Sequence, residues 1–505
     1  MLEAAFSGLM ALATLDAAIY MIVGVVYGIA IGILPGLGGI VAMALLLPFT
    51  YGMDAAAAMA LLLGAHIATI WGSSVTSILF RVPGAAKSVA LIFDGYPMTQ
   101  RGEASRALGA SATAALLGGV IGAVFLAVSI PIARPVMLAL GPAEYLMLAL
   151  WGLTIIAAFS EGSLLKGLAA AALGLLTAFI GMDLVTATPR FTFGIIHLLD
   201  GVSFPVAMIG LFAIAEMMKL HARGGSLVER DVGIEASSVW TGVADAFRHW
   251  GLVVRSSLLG LWIGVLPGIG ASVGGIAAYA QALRTSKHPE EFGKGSVEGV
   301  IAPDATLGAN EGGGLLPTLA LGIPGGEGMA IVLVAFIGLG VVPGPQMLTD
   351  RLDFVFSLVW IVAIASVLTS LVGLAISPYL ARVPSLNPNV IIPLVLCVCL
   401  IGAYADRRQV SDVITAVVFG VIGYLMDKYR YSRATFVIGM VLAIMIERNL
   451  HLSISLYGEW FVFTRPIALV MFVLIIVTTA WPFFRRWQRD KQTRRDPLAE
   501  KGGVS

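Results

Sequence analysis

Charge is what this chain has least of. Asp, Glu, Lys and Arg make up 12% of its 505 residues, where a soluble globular chain carries roughly 25%. The few charges sum to +1, so no basic domain exists to hold nucleic acid. Cysteine is nearly absent. Cys397 and Cys399 lie in the apolar run IIPLVLCVCLIG. C-x-C is not a usual zinc spacing, and the pair reads as small apolar residues packed in a span. Neither H-E-x-x-H nor a Walker A sequence occurs, which removes the zinc protease and the ATP-driven pump. The opening MLEAAFSGLMALATLDAA lacks a basic start and contains Glu3 and Asp16. It reads as a mature, partly amphipathic N-terminus and not as a signal peptide.

Long apolar runs stand in place of charge. The chain is 58% hydrophobic with a mean hydropathy of +0.93. Uncharged runs cover Ala17–Met53, Ala107–Ala133, Ser256–Leu283, Phe354–Ala381 and Pro466–Phe484. A helix needs roughly 20 apolar residues to cross the hydrocarbon core. The alternating strands of about ten residues that mark a membrane barrel are not seen. The expected fold is therefore an all-α polytopic membrane protein with on the order of 12 transmembrane helices.

A glycine-proline phrase is written twice in these runs. Residues 28–39 read GIAIGILPGLGG and residues 260–271 read GLWIGVLPGIGA. The offset is 232, carrying Pro35, Gly36 and Gly38 onto Pro267, Gly268 and Gly270. A second pair follows, SSVTSILFRVPG at 73–84 and GLLPTLALGIPG at 314–325. There the offset is 241, carrying Pro83 and Gly84 onto Pro324 and Gly325. Proline breaks the helix by removing a donor and clashing with the preceding turn. Glycine lets the chain turn and lets another group come close. The helix restarting after each break exposes N–H groups that suit an anion such as a carboxylate. Broken or re-entrant helices at matching places in two related halves point to a transporter's binding site. The bland alternative, that these pairs only kink or pack helices, suits one break better than four. The repeat is expected to be inverted, because alternating access is readily built that way.

Side chains beside the breaks complete the candidate site. Ser73, Ser74, Thr76 and Ser77 precede the first [VI]PG break; Ser272 and Thr318 are their counterparts in the second half. Such hydroxyls could hold carboxylate oxygens, with Thr76 and Thr318 as coupling-ion ligands. Equally, they could bond back to their own helix. Lys87 and Glu327 follow equivalent breaks. An ionisable group inside a membrane protein is a functional hypothesis by default. Lys87 could neutralise a substrate carboxylate, and Glu327 could carry a proton or sodium. The competing reading puts both at the aqueous rim. His66, on an apolar helix, reads as a packed residue, Asp94 as a turn or cap, and Glu144, Glu161 and Asp183 as interfacial.

Composition divides the chain into a first transmembrane repeat at 1–220, an inter-repeat polar loop at 221–249, a second repeat with late helices at 250–484, and a basic tail at 485–505. The tail carries Arg486, Arg489, Lys491, Arg494, Arg495 and Lys501 against three acids. Basic flanks mark the cytoplasmic side.

These residues carry a resemblance. GILPGLGG (32–39), WGSSVTSILFRVPG (71–84), DGYPMTQRGEASRALG (94–109), GVLPGIGAS (264–272), SKHPEEFGKGSVEGVIAPDA (286–305) and GGLLPTLALGIPG (313–325) resemble the tripartite tricarboxylate transporter large permease subunit, the TctA family. VVPGPQML and the IERNL helix give weaker support. The resemblance covers nearly the whole chain, and the polar 286–305 match is its most specific part. It implies a secondary transporter of a bacterial cytoplasmic (inner) membrane that imports an organic acid by symport with sodium or protons. It also implies a small four-helix membrane subunit and a periplasmic solute-binding protein as partners, no cofactor, and no enzymatic activity. The chain departs from the family pattern. PGAAKS and PGGEGM stand where the family favours small and hydroxyl residues, so Lys87 and Glu327 are additions. DATLGANEGGG replaces an Asn-rich run; Asn310 keeps the amide chemistry and Glu311 is new. Gly270–Gly274 also fits G-x-S-x-G, a nucleophile motif only on a strand-turn-helix elbow. The six histidines show no spacing that nominates a base. A one-component carrier or channel is the alternative, with an intramembrane enzyme behind it.

Overall fold

The computed structural model describes residues 1–34, 37–159, 164–183, 187–223, 239–266, 270–344, 346–380 and 388–495, with side chains for all of these but 158–159, 223, 270, 272, 388–391 and 481–495. It is a helical protein. Among the described residues the strands are Gly181–Met182 and Pro189–Arg190, paired antiparallel. Seven helices among the described residues are long and apolar enough to span a membrane, including Leu15–Gly32, Ala55–Phe80, Ala104–Leu138 and Leu352–Leu380. Shorter apolar helices accompany them, among them Trp250–Val265 and Glu327–Gly338. Glu298–Leu321 is 24 residues long and almost wholly buried. It is not among the seven, and it carries Glu298, Asp304, Asn310 and Glu311.

The chain forms two compact units. One comprises Met1–Ala139 with Phe179–Tyr429, the other Leu140–Ala178 with Arg430–Ser505. In the second, Gly174 meets the Phe436 carbonyl and Gly439 meets Ala171. Glu144, expected at an interface, is buried there. Its carboxylate accepts from the Arg465 guanidinium at 2.9 Å and the Gly141 N–H at 2.9 Å. An ion pair hides the charge that the sequence pattern placed in water.

The helices that flank the repeated breaks lie in the first unit, and the sequence offset reappears there as matching contacts. Leu15–Gly32 packs on Ala55–Phe80, with Gly28 against the Ala65 carbonyl and Gly32 against Thr69 and Gly72. Trp250–Val265 packs on Glu298–Leu321, with Gly260 against the Thr306 carbonyl and Gly264 against Asn310 and Gly313. Gly28 and Gly32 map to Gly260 and Gly264 at offset 232; Ala65, Thr69 and Gly72 map to Thr306, Asn310 and Gly313 at offset 241. Lipid gives helices no hydrophobic drive to associate, so small residues that admit close backbones form the seam. The halves also exchange helices. Ala104–Leu138 packs on Glu298–Leu321, with Gly118 against Ala305 and Gly308 against Ala115. In return Leu352–Leu380 packs on Ala55–Phe80, where Gly373 meets the Trp71 ring at 3.0 Å.

The helix ends match too. Ala55–Phe80 closes on Arg81 at φ 58°, and Glu298–Leu321 closes on Gly322 at φ 65°. These are equivalent left-handed caps, and each is followed two residues later by the break proline, which cannot continue a helix. Only glycine adopts this backbone without strain, and other residues lose roughly 1–2 kcal/mol. Arg81→Gly should therefore raise the melting temperature of the detergent-solubilised protein, and Gly322→Val should lower it. Equal melting in both variants would show that these ends are not strained caps.

The polar stretch at 221–249 is not loop throughout. Residues 224–238 lie outside the description, but Val239–Arg248 is a helix. It buries Val239, Gly242, Asp245 and Ala246, one face at helical spacing. Gly242 sits on the Arg106 carbonyl, and Asp245 accepts from Arg106 Nε at 2.6 Å. The charges that suggested a loop are the partners of this contact. Likewise the basic segment from 485 continues the Pro466–Arg495 helix, and residues 496–505 are outside the description.

Candidate functional site

Pro35, Gly36, Pro267 and Gly268 lie outside the described residues. Their flanks are described. Helix Leu15–Gly32 stops, and a new helix, Gly39–Leu46, begins after Gly38 in extended backbone. In the second half Leu266 is extended and Gly270–Thr285 restarts the helix. Ser272 belongs to this helix, and its side chain is outside the description. Gly270–Gly274 is thus the first turn of a helix that follows another helix, not the elbow after a strand that a nucleophile needs.

The [VI]PG segments fold back on the helices they end. Gly84 lies against Ser73 and the Thr76 hydroxyl; Gly325 lies against Gly314, 2.5 Å from its Cα to a built Cβ. Ser73 and Gly314 are equivalent at offset 241, as are Ser77 and Thr318. Pro83 is exposed while Gly84, Pro324 and Gly325 are buried. The hydroxyls before the breaks are all buried, and each reaches a carbonyl of its own helix. Ser73 donates to Ile70 at 2.8 Å, Thr76 to Ser73 at 2.9 Å and Thr318 to Gly314 at 2.6 Å. Ser77 also reaches Ser88 at 2.9 Å, and Thr318 accepts from the Gly325 N–H at 3.2 Å. Ser74 stands 2.8 Å from the Asp304 carboxylate, a buried bond from one half to the other. The hydroxyl hydrogens are thus taken up by the protein, so a carboxylate can accept from these groups only where those bonds are given up. Asn310 meets Gly264 through its backbone carbonyl.

Residues that follow the breaks come together around His66 and Lys87. Gly38 faces Ala85, and Gly39 faces the His66 ring and Thr69. Gly328, in the first turn of the Glu327–Gly338 helix, faces the same ring. Gly275 faces the Lys87 carbonyl. Segments of both halves therefore converge on one place.

At that place sits a charge cluster. His66 Nε2 lies 3.0 Å from Glu311 Oε2, and Lys87 Nζ lies 3.8 Å from Glu311 Oε1. The Glu311 side chain is 5% exposed, His66 6% and Lys87 11%. Glu327 stands within electrostatic reach of Lys87 and is itself exposed. Lys87 is thus not a rim residue; it is drawn inward onto Glu311. The sequence pattern reads His66 as a packed, hydrogen-bonded residue, which fits this contact, but it names no partner for His66 or Glu311. The signal was present: each is a lone ionisable group in a buried membrane helix, which is stable only when paired.

Asp94 has a different task from the expected turn. It lies within the Ile92–Gln100 helix, buried, and accepts from the N–H groups of Gly295 at 2.8 Å and Ser296 at 2.9 Å. Gly95 is helical as well. Arg101 donates to the Lys294 carbonyl. So the two most specific polar motifs, around 94–109 and 286–305, are clasped together. The tip of that second loop, His288 to Glu291, remains exposed. Among the described residues no cluster of three or more His, Cys, Asp or Glu is placed to hold a metal ion.

The model of the tripartite tricarboxylate transporter TctA family matches residues 18–438. An uncharacterized 52.8 kDa protein in the TAR-I ttuC' 3' region of Agrobacterium vitis is 31% identical over 479 residues, 94% of this chain and 95% of that one. An uncharacterized protein in the TAR-II ttuC' 3' region of the same organism is 30% identical over 211 residues, 41% of this chain and 87% of that one. No solved structure matches.

Proposed function

Because the chain belongs to the tripartite tricarboxylate transporter TctA family, we propose that it is a permease subunit importing a carboxylate-bearing organic acid. That family is one of multi-pass membrane transporters, not of enzymes. The proposed substrates are tricarboxylates, dicarboxylates or aromatic acids, and the drive is a sodium or proton gradient across the bacterial cytoplasmic membrane. The basic C-terminal segment favours a cytoplasmic C-terminus. One observation carries the reading: Lys87, a cation that follows a repeated break, is held inside the helices with a carboxylate already against it. A site that accommodates the Glu311 carboxylate suits a substrate carboxylate. The candidate groups around it are Gly38, Gly84, Gly325, the hydroxyls of Ser73, Ser74 and Ser77, and Asn310. The proposed coupling groups are Thr76, Thr318 and Glu327.

Partner dependence follows from how few charged contacts this site offers. A cradle of backbone N–H groups with one lysine binds weakly, so capture of dilute solute is assigned to a periplasmic solute-binding protein. A small four-helix membrane subunit completes the permease. The test is reconstitution in liposomes at micromolar citrate, succinate or benzoate. The single chain should give slow or undetectable uptake, and the three-component system should restore it. High-affinity gradient-driven uptake by the chain alone would support a one-component carrier instead. Gradient-independent flux would support a channel.

A further inference from the structure

We propose that Glu311 is a resident stand-in for the substrate carboxylate, and that its displacement from Lys87 brings one proton onto the His66–Glu311 pair. The inference rests on the permease reading and makes the coupling ion a proton. The geometry divides the Glu311 carboxylate unequally. Oε2 is at hydrogen-bond distance from His66, 3.0 Å, while Oε1 makes only a loose ion pair with Lys87, 3.8 Å. The lysine contact is the one an arriving anion can exchange. Lys87 is also the most accessible of the three side chains. Its Glu311 partner comes from the opposite half, so the exchange separates two groups that bridge the halves.

Charge balance supplies the coupling. With His66 neutral, Glu311 ionised and Lys87 protonated, the cluster sums to zero. A substrate carboxylate on Lys87 leaves Glu311 without its cation, and the cluster gains one negative charge. An uncompensated buried charge is strongly unfavourable. One proton from the water on the entry side cancels it, bonding to His66 Nε2 or Glu311 Oε2 along the line between them. No electron moves and no other bond breaks. When the carboxylate leaves on the far side, Lys87 returns to Glu311 and the proton leaves with the substrate. His66 Nδ1 is buried with no hydrogen-bond partner, so Glu311 is the polar partner through which this ring responds.

The groups that bear on this exchange come from each element around it. His66 comes from Ala55–Phe80 and Lys87 from the turn that follows its break; both act on Glu311. Glu327, from the first turn of Glu327–Gly338, acts with Glu311 on Lys87. Asp304 lies about two turns earlier on the Glu311 helix and is held by Ser74.

The experiment uses the chain reconstituted with its small membrane subunit and solute-binding protein, in liposomes loaded with millimolar citrate, succinate or benzoate. It measures exchange of labelled for unlabelled acid, and accumulation under an imposed proton or sodium gradient. The wild type should exchange at least one of these acids and accumulate it when the outside is acidic. Glu311→Gln should lose proton-driven accumulation, and its exchange should become independent of pH, because Lys87 then holds substrate without a proton. Its apparent substrate constant at neutral pH should fall about tenfold. Glu311→Asp should restore part of the accumulation, and His66→Gln should move the pH profile. These two carry the test if Glu311→Gln does not fold. Gly251→Ala, where no atom lies within 4 Å of the added Cβ, should keep proton drive. Accumulation driven by sodium alone, or unchanged proton drive in the Glu311 and His66 variants, would overturn the proton assignment and leave the permease reading standing. Absence of exchange of all three acids by the wild type would overturn both.

Discussion

Lys87→Ala should raise the apparent substrate constant about ten- to hundredfold. A hydrogen bond to a charged group contributes about 1.5–3 kcal/mol, and Lys87 is the cation through which the site would hold a carboxylate. The effect is separable from simple unfolding. Removing Lys87 leaves Glu311 buried against His66 alone, so some loss of stability is expected as well. Lys87→Arg distinguishes the two contributions. It keeps the charge, and so keeps the partner for Glu311 and most of the stability. Its planar fork and extra length do not reproduce the point contact of an ammonium, so transport should recover only in part. Counterflow kinetics read the substrate constant, and thermal melting in detergent reads the stability. An unchanged substrate constant in Lys87→Ala, in protein that melts normally, would remove Lys87 from the binding site.

The parts of this architecture that follow the repeat were legible before any coordinates. The four breaks announced themselves through proline and glycine, whose backbone effects are local. Their two offsets, 232 and 241, carry over into space as matching contacts, Gly28 on Ala65 and Gly260 on Thr306. The equivalence of Arg81 and Gly322 is the same relation at a helix end. What stayed hidden was whatever breaks the symmetry. At offset 241 His66 corresponds to Leu307, and Glu311 corresponds to Ile70. Neither partner could be found by matching the halves, because the pair exists only where one half packs on the other. Asp94 was hidden for the same reason; its donors, the N–H groups of Gly295 and Ser296, are met on a loop some two hundred positions away. The hydroxyls beside the breaks were seen, but their bonds to their own helix depend on side-chain rotamers that a sequence pattern does not fix. The helix Val239–Arg248 was masked by its charges, which look solvated until Arg106 is placed opposite Asp245.

The second large effect is expected at the paired helix crossings. Gly28→Val and Gly260→Val should each remove transport and sharply reduce folded protein. A Cβ at Gly28 would fall on the backbone carbonyl of Ala65, and one at Gly260 on that of Thr306. Backbone cannot swing aside as a side-chain tip can, so the helices must separate. Overpacking a close seam costs typically 1–3 kcal/mol. Here one separation also pulls on the site, since Ala65 precedes His66 and Thr306 shares a helix with Glu311. The pseudo-equivalence makes a specific demand: the two variants should fail to a similar degree, because the two seams are built alike. Gly251→Ala is the control, since no atom lies within 4 Å of the added Cβ; it should fold and transport normally. Fluorescence-detected size exclusion gives the folded fraction and liposome counterflow gives the activity. Normal folding of both valine variants would mean that the close glycine crossings do not hold each half together. Failure of one alone would mean that the repeated sequence is not matched by repeated mechanics.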